Sequence, residues 1–114
     1  MALSFSKLFA PKQVNNAAAD TLYTVPTIPG NTVLRNARVR FVNTTAAFVT
    51  IKAWAVPSGG AAADSNVMLP ATSIGANGYV DIDVPMLGAG DFIQAQAGAA
   101  ASVTAHGLDG FLQS

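Results

Sequence analysis

Two carboxylates two residues apart, Asp81 and Asp83, are the first place in this sequence where chemistry can be sought. On a β period both face the same side, where a carboxylate pair can hold a cation or share acid/base work. No third acidic residue nearby completes a ligand set, and Val80, Ile82 and Val84 occupy the opposite face. The pair is therefore expected to be the solvated side of a strand, matched to Arg38 or Arg40 across strands or across a subunit boundary. His106 is the single histidine, and neither a Cys nor a Ser-containing nucleophile elbow accompanies it, which makes it a surface or interface residue. Gly88-Ala89-Gly90-Asp91 has the glycines of a phosphate loop, but no Gly-Lys-Ser/Thr follows and a β pattern comes next where a helix would be needed. It reads as a turn. Arg35, Arg38 and Arg40 form the one basic cluster, too small and too interleaved with apolar residues for a nucleic-acid site.

Composition points the same way. The chain has no Cys, no Glu and one His, while 51% of its residues are hydrophobic. General acid/base, nucleophilic and metal chemistry draw heavily on the missing types, so no enzyme, cofactor, metal site or small-molecule substrate is expected. Charged residues make up 11% and the formal net charge is zero, which gives no electrostatic support for nucleic-acid or anionic-membrane binding. A surface of low charge repels copies of itself weakly and suits a chain that lives in an assembly. The 114 residues fit one domain able to fold without disulfides. The first eleven residues, interrupted by Lys7, are a poor secretory signal, and no apolar run approaches the roughly 20 residues of a membrane-spanning helix.

The elements that would position these residues are β-strands. Residues 32–43 place Ala37, Val39 and Phe41 on one face and Arg38 and Arg40 on the other; residues 47–56 set Val49, Ile51, Ala53 and Ala55 against Phe48, Thr50, Lys52 and Trp54. With Asn43-Thr44-Thr45-Ala46 between them, this pair reads as a hairpin. Residues 78–84 alternate most clearly, residues 91–97 set Ile93, Ala95 and Ala97 against Phe92, Gln94 and Gln96, and a last segment runs from 102 to about 108. Weaker strands fall at 21–27 and 66–69. Seven or eight short strands and no amphipathic helix predict an all-β fold, an antiparallel β-sandwich with the jelly roll among its arrangements, over residues 21–114.

Residues 1–20 lack a β period and are expected to form an extended N-terminal arm. Its isolated Leu3, Phe5, Leu8 and Phe9 would each forgo about 1.5–3 kcal/mol of burial if left free, so docking onto a neighbouring chain is expected of them. Phe48 and Trp54 form a second candidate contact patch, since large aromatics are enriched at interface centres; Arg35, Arg38 and Arg40 are a third. Residues 57–65, rich in Gly, Ala and Ser, read as a surface loop.

Several phrases in order carry a resemblance: Leu22-Tyr23-Thr24-Val25-Pro26, Gly30-Asn31-Thr32, Val39-Arg40-Phe41-Val42-Asn43-Thr44-Thr45, Val49-Thr50-Ile51, Ala55-Val56-Pro57-Ser58-Gly59-Gly60 and Gly88-Ala89-Gly90-Asp91-Phe92-Ile93-Gln94-Ala95. Over about residues 21–108 the chain resembles small tailed-bacteriophage virion proteins. The resemblance implies a β-sandwich component of the particle, made in the host cytoplasm and sited on the capsid surface. It would be a capsid cement or decoration protein, with the major capsid protein as partner and a homotrimer as the assembly. A tail, collar or baseplate module is the alternative. The matching positions are turns and strand cores, so no binding residue carries over, and the arm lies outside the shared pattern.

Overall fold

The computed structural model describes residues 3–28 and 30–113, with side chains described from residue 7 onward. Nine strands follow one another: β1 (Leu3–Ser6), β2 (Lys12–Gln13), β3 (Asp20–Thr24), β4 (Val33–Asn43), β5 (Val49–Val56), β6 (Val67–Ile74), β7 (Tyr79–Val84), β8 (Phe92–Ala97) and β9 (Val103–Gln113). A 3-10 turn, Asp64–Asn66, precedes β6. The strands form two antiparallel sheets. The front sheet has the order β1-β9-β4-β7, with β2 also on β9, and the back sheet has the order β3-β8-β5-β6.

The pairing is nested. Taking β1 and β2 as one interrupted strand, the first pairs with the last, β3 with β8, β4 with β7 and β5 with β6. A long hairpin of four such pairs, rolled so that β9 meets β4 and β8 meets β5, is the jelly roll. The expected sandwich is thus present in its jelly-roll form. Its core lies between the sheets, where Leu34, Val39, Phe41, Ile51, Ile93 and Val103 are among the residues fully removed from solvent. The inward residues read from the alternation of β4, β5, β7, β8 and β9 are those that face this core.

Two expectations need correction. Residues 32–43 and 47–56 do not form a hairpin, because β4 belongs to the front sheet and β5 to the back sheet. The connection crosses between the sheets, and Asn43 braces it. Fully buried, its side-chain amide donates to the carbonyl oxygens of Ala47, Ile74 and Gly75 at 2.7, 3.0 and 3.1 Å. Its side-chain oxygen accepts from the Thr45 N–H at 2.9 Å and the Thr45 hydroxyl at 2.7 Å, a local Asx turn that bends the chain. The Thr44 N–H donates to Ser102 O at 2.9 Å and fastens the arch to the start of β9.

The second concerns the N-terminal arm. It is extended, but it lies along its own chain: β1 pairs with residues 110–113 of β9 and β2 with residues 104–105. Between them Leu8 joins the core at 8% exposure, and Val14 follows as a buried residue after β2. Gly107 permits the crossing. A Cβ built there would lie 2.7 Å from Phe9 Cδ1 and 2.9 Å from Leu8 Cβ, so any larger residue would push the arm off β9. Pro11 separates the two β runs, in keeping with a residue that brings no backbone N–H to a ladder.

Candidate interaction surfaces

The outward residues of the front sheet form a charge ladder. Arg40 and Asp81 are register partners on β4 and β7, and the guanidinium grips the carboxylate through two hydrogen bonds, Nε to Oδ1 at 2.7 Å and Nη2 to Oδ2 at 2.9 Å. Arg38 grips Asp109 on β9 in the same way, at 3.2 and 2.8 Å. This paired geometry is the specific use of Arg against a planar carboxylate. The hydrogen bond from Arg40, with its charge, holds the Asp81 carboxyl below the ordinary range, and Arg38 does the same for Asp109. Tyr79 stacks beneath Arg40, whose Cζ sits 4.4 Å from the ring centroid. Arg35 completes the row by donating to Gln113 at 2.8 Å.

Asp81 therefore serves as a cross-strand ion-pair partner, as expected from its position. Asp83 stands opposite Arg38 in register yet has no hydrogen bond or ion pair among the described residues, because Arg38 is taken by Asp109. A β-bulge explains the choice: the β4–β9 register shifts on both sides of Arg38, and Asn36 takes a left-handed φ of 53° within it. The bulge opens a groove of about 640 Å³ whose rim includes Arg35, Arg38, Asp83 and Asp109. His106 lies on β9 opposite Arg40, on the same outward face. Among the described residues no cluster of three or more His, Cys, Asp or Glu is placed to hold a metal.

The back sheet presents a different surface. Trp54 points outward from β5 as expected, but it is only 6% exposed and lies apart from the main core. Its register partners are Val67 and Gln94, the 3-10 turn packs against β5, and Lys52 Nζ lies 5.4 Å from the ring centroid while reaching Asp64 at 3.7 Å. Trp54 is thus removed from the set of surface contacts by the segment that follows β5. Phe48, grouped with it from sequence, is 78% exposed at the start of the back-sheet strand, beside Gly75. The two are not one patch. The remaining outward residues, Thr50, Gln94 and Gln96, are uncharged; Gln94 donates to the Thr21 hydroxyl and Gln96 to Asn16 O, each at 3.0 Å.

The other candidates divide. Leu8 is committed to its own core, Phe9 packs partly against it, and the side chains of Leu3 and Phe5 lie outside the described residues. Gly88–Asp91 is the turn expected of it: Asp91 accepts from the Ser58 and Gly88 N–H groups, both at 2.9 Å, and Gly90 has a φ of 83°. Missed from sequence are Asp109, Tyr79 and the exposed Met86 and Ile28. The alternation of residues 78–84, which sets Asp81 and Asp83 against Val80, Ile82 and Val84, puts Tyr79 outward as well, whereas Asp109 fell beyond the expected end of the last strand. No protein-family model matches the chain, and a search of curated proteins gives no match.

Proposed function

We propose that this chain is a structural component of a bacteriophage particle, a cement or decoration protein that binds major capsid subunits on the outside of the shell as a homotrimer. The observation that carries this reading is where the phrases shared with small virion proteins fall. Leu22–Pro26 leaves β3, Val39–Thr45 runs into the arch, Ala55–Gly60 leaves β5 and Gly88–Ala95 turns into β8. The resemblance thus follows the connections that define the jelly roll, not one isolated motif. A surface of low charge whose arginines are paired within the chain is suited to the same task.

Such a protein works by burying surface. Stable association takes about 1,200–2,000 Å² in total, and weak contacts repeated over a lattice reinforce one another. Phe48, exposed at a sandwich end, is the aromatic best placed to contribute, with the Arg35, Arg38 and Arg40 row beside it in rank. Leu8 contributes to a neighbour only if the arm leaves β9, at a burial cost of about 1.5–3 kcal/mol. Quantitative mass spectrometry of purified particles tests the proposal. A cement protein is present in hundreds of copies, whereas a few copies would assign the chain to the tail, collar or baseplate, and none would remove it from the particle.

A further inference from the structure

Among the described residues each sheet ends in strands whose outer backbone has no strand partner, and most of these edges are blunted. β6 contains Pro70 and its register with β5 shifts twice. β3 is short, shifts register after Thr21, and is crossed by Lys12, whose Nζ donates to Thr21 O at 2.8 Å and Asp20 Oδ1 at 3.0 Å. β1 and β2 span four and two residues. β7 is different. Its six residues contain no Pro or Gly, and all six pair with β4 without a break.

The side chains of β7 are equally unfinished. Val80 and Ile82 face the core but are only half-buried, although their register partners Phe41 and Val39 are wholly buried, so apolar surface runs out to this edge. On the other face Asp83 is exposed and, among the described residues, makes no hydrogen bond or ion pair, although the charge of Arg38 acts on it. A second copy is a poor occupant, because antiparallel pairing of two β7 strands about Ile82 sets Asp81 of each against Asp83 of the other. Like charges placed directly opposite are destabilising, and inward or edge charges are a recognised guard against self-pairing.

We infer that β7 is a docking edge for an extended segment of a different protein, added as a further strand. The segment alternates apolar and basic residues. Its apolar side chains cover Val80 and Ile82, and a Lys or Arg lies beside Asp83. Main-chain hydrogen bonds supply affinity and the alternate side chains supply selectivity. This chemistry does not depend on the virion role.

Two short labelled peptides serve as probes on the full-length chain, one alternating Val and Lys and one alternating Val and Glu. Fluorescence anisotropy should show the Val–Lys peptide binding about ten-fold or more tightly than the Val–Glu peptide. Amide exchange should slow over residues 79–84 in its presence. Asp83→Lys should reverse the preference and Asp83→Asn should abolish it, the second variant guarding against misfolding in the first. Equal binding of both peptides, no binding of either, or protection confined to β3 or β6 overturns the inference. So does concentration-dependent self-association of the free chain that protects residues 79–84, since the occupant would then be a second copy.

Discussion

The two sheets share one inward grammar and wear opposite outer faces. On the front sheet the outward positions of β4, β7 and β9 carry Arg38, Arg40, Asp81 and Asp109, paired within the chain at 2.7–3.2 Å. On the back sheet the outward positions of β5 and β8 carry Thr50, Lys52, Gln94 and Gln96, together with two large aromatics, Trp54, which is covered, and Phe92, which is half-buried. The front face stays hydrated through charge yet presents almost no net charge to a partner. The back face carries few charges and keeps its largest apolar side chain, Trp54, out of solvent. The two faces are thus built from different residues, and perturbing each should have a different signature.

The largest effect is expected at Trp54. Trp54→Ala empties a buried site and should cost about 3–5 kcal/mol in urea unfolding, while Phe48→Ala, at an exposed position of the same sheet, should change stability by less than about 0.5 kcal/mol. Similar losses for both would mean that the loop does not shield Trp54. Next comes the front-sheet edge, where Gly107→Ala should cost about 1–3 kcal/mol by overpacking. Amide exchange should then quicken over residues 3–13 and leave β5 and β8 unchanged. Uniform quickening through both sheets would contradict a separable arm.

The smallest effect is the acid limb. Asp81 and Asp109 are held below their ordinary values by the arginines, so their contribution is complete above about pH 3.9, the unfolded carboxyl value, and is lost as pH falls through the folded values. Tm should therefore hold between pH 7 and about pH 5 and fall below about pH 4. The double variant Asp81→Asn, Asp109→Asn should flatten part of that fall, and Trp54→Ala should leave its shape unaltered. An acid limb identical in the double variant and the native chain would show that these pairs, largely open to solvent, contribute nothing measurable.

The alternation of β4, β5, β7, β8 and β9 is legible because a period of two is a local property, and it placed Asp81 beside the arginines correctly. The arch was not legible, since Asn-Thr-Thr suits a tight turn or a crossover equally; the carbonyls that decide between them belong to Ile74 and Gly75, far along the chain. The arm's pairing was hidden by Pro11 and by β runs too short to show a period. The last strand was expected to stop at about residue 108, whereas β9 runs on through Gly110 to Gln113, so Asp109 was lost; Gly107, inside the strand, lets residues 8 and 9 cross β9. Trp54 was given the right face, but its burial comes from a segment that composition marks only as a loop. The half-buried edge of β7 needs the strand order before it can be seen at all.

Reconstruction of purified particles tests the central claim most directly, that this jelly roll acts by burying surface against a capsid lattice. The predicted result is eight-stranded jelly-roll density outside the shell, grouped in threes and repeated across the lattice. Density confined to the tail, or a shell with no such layer, would contradict it.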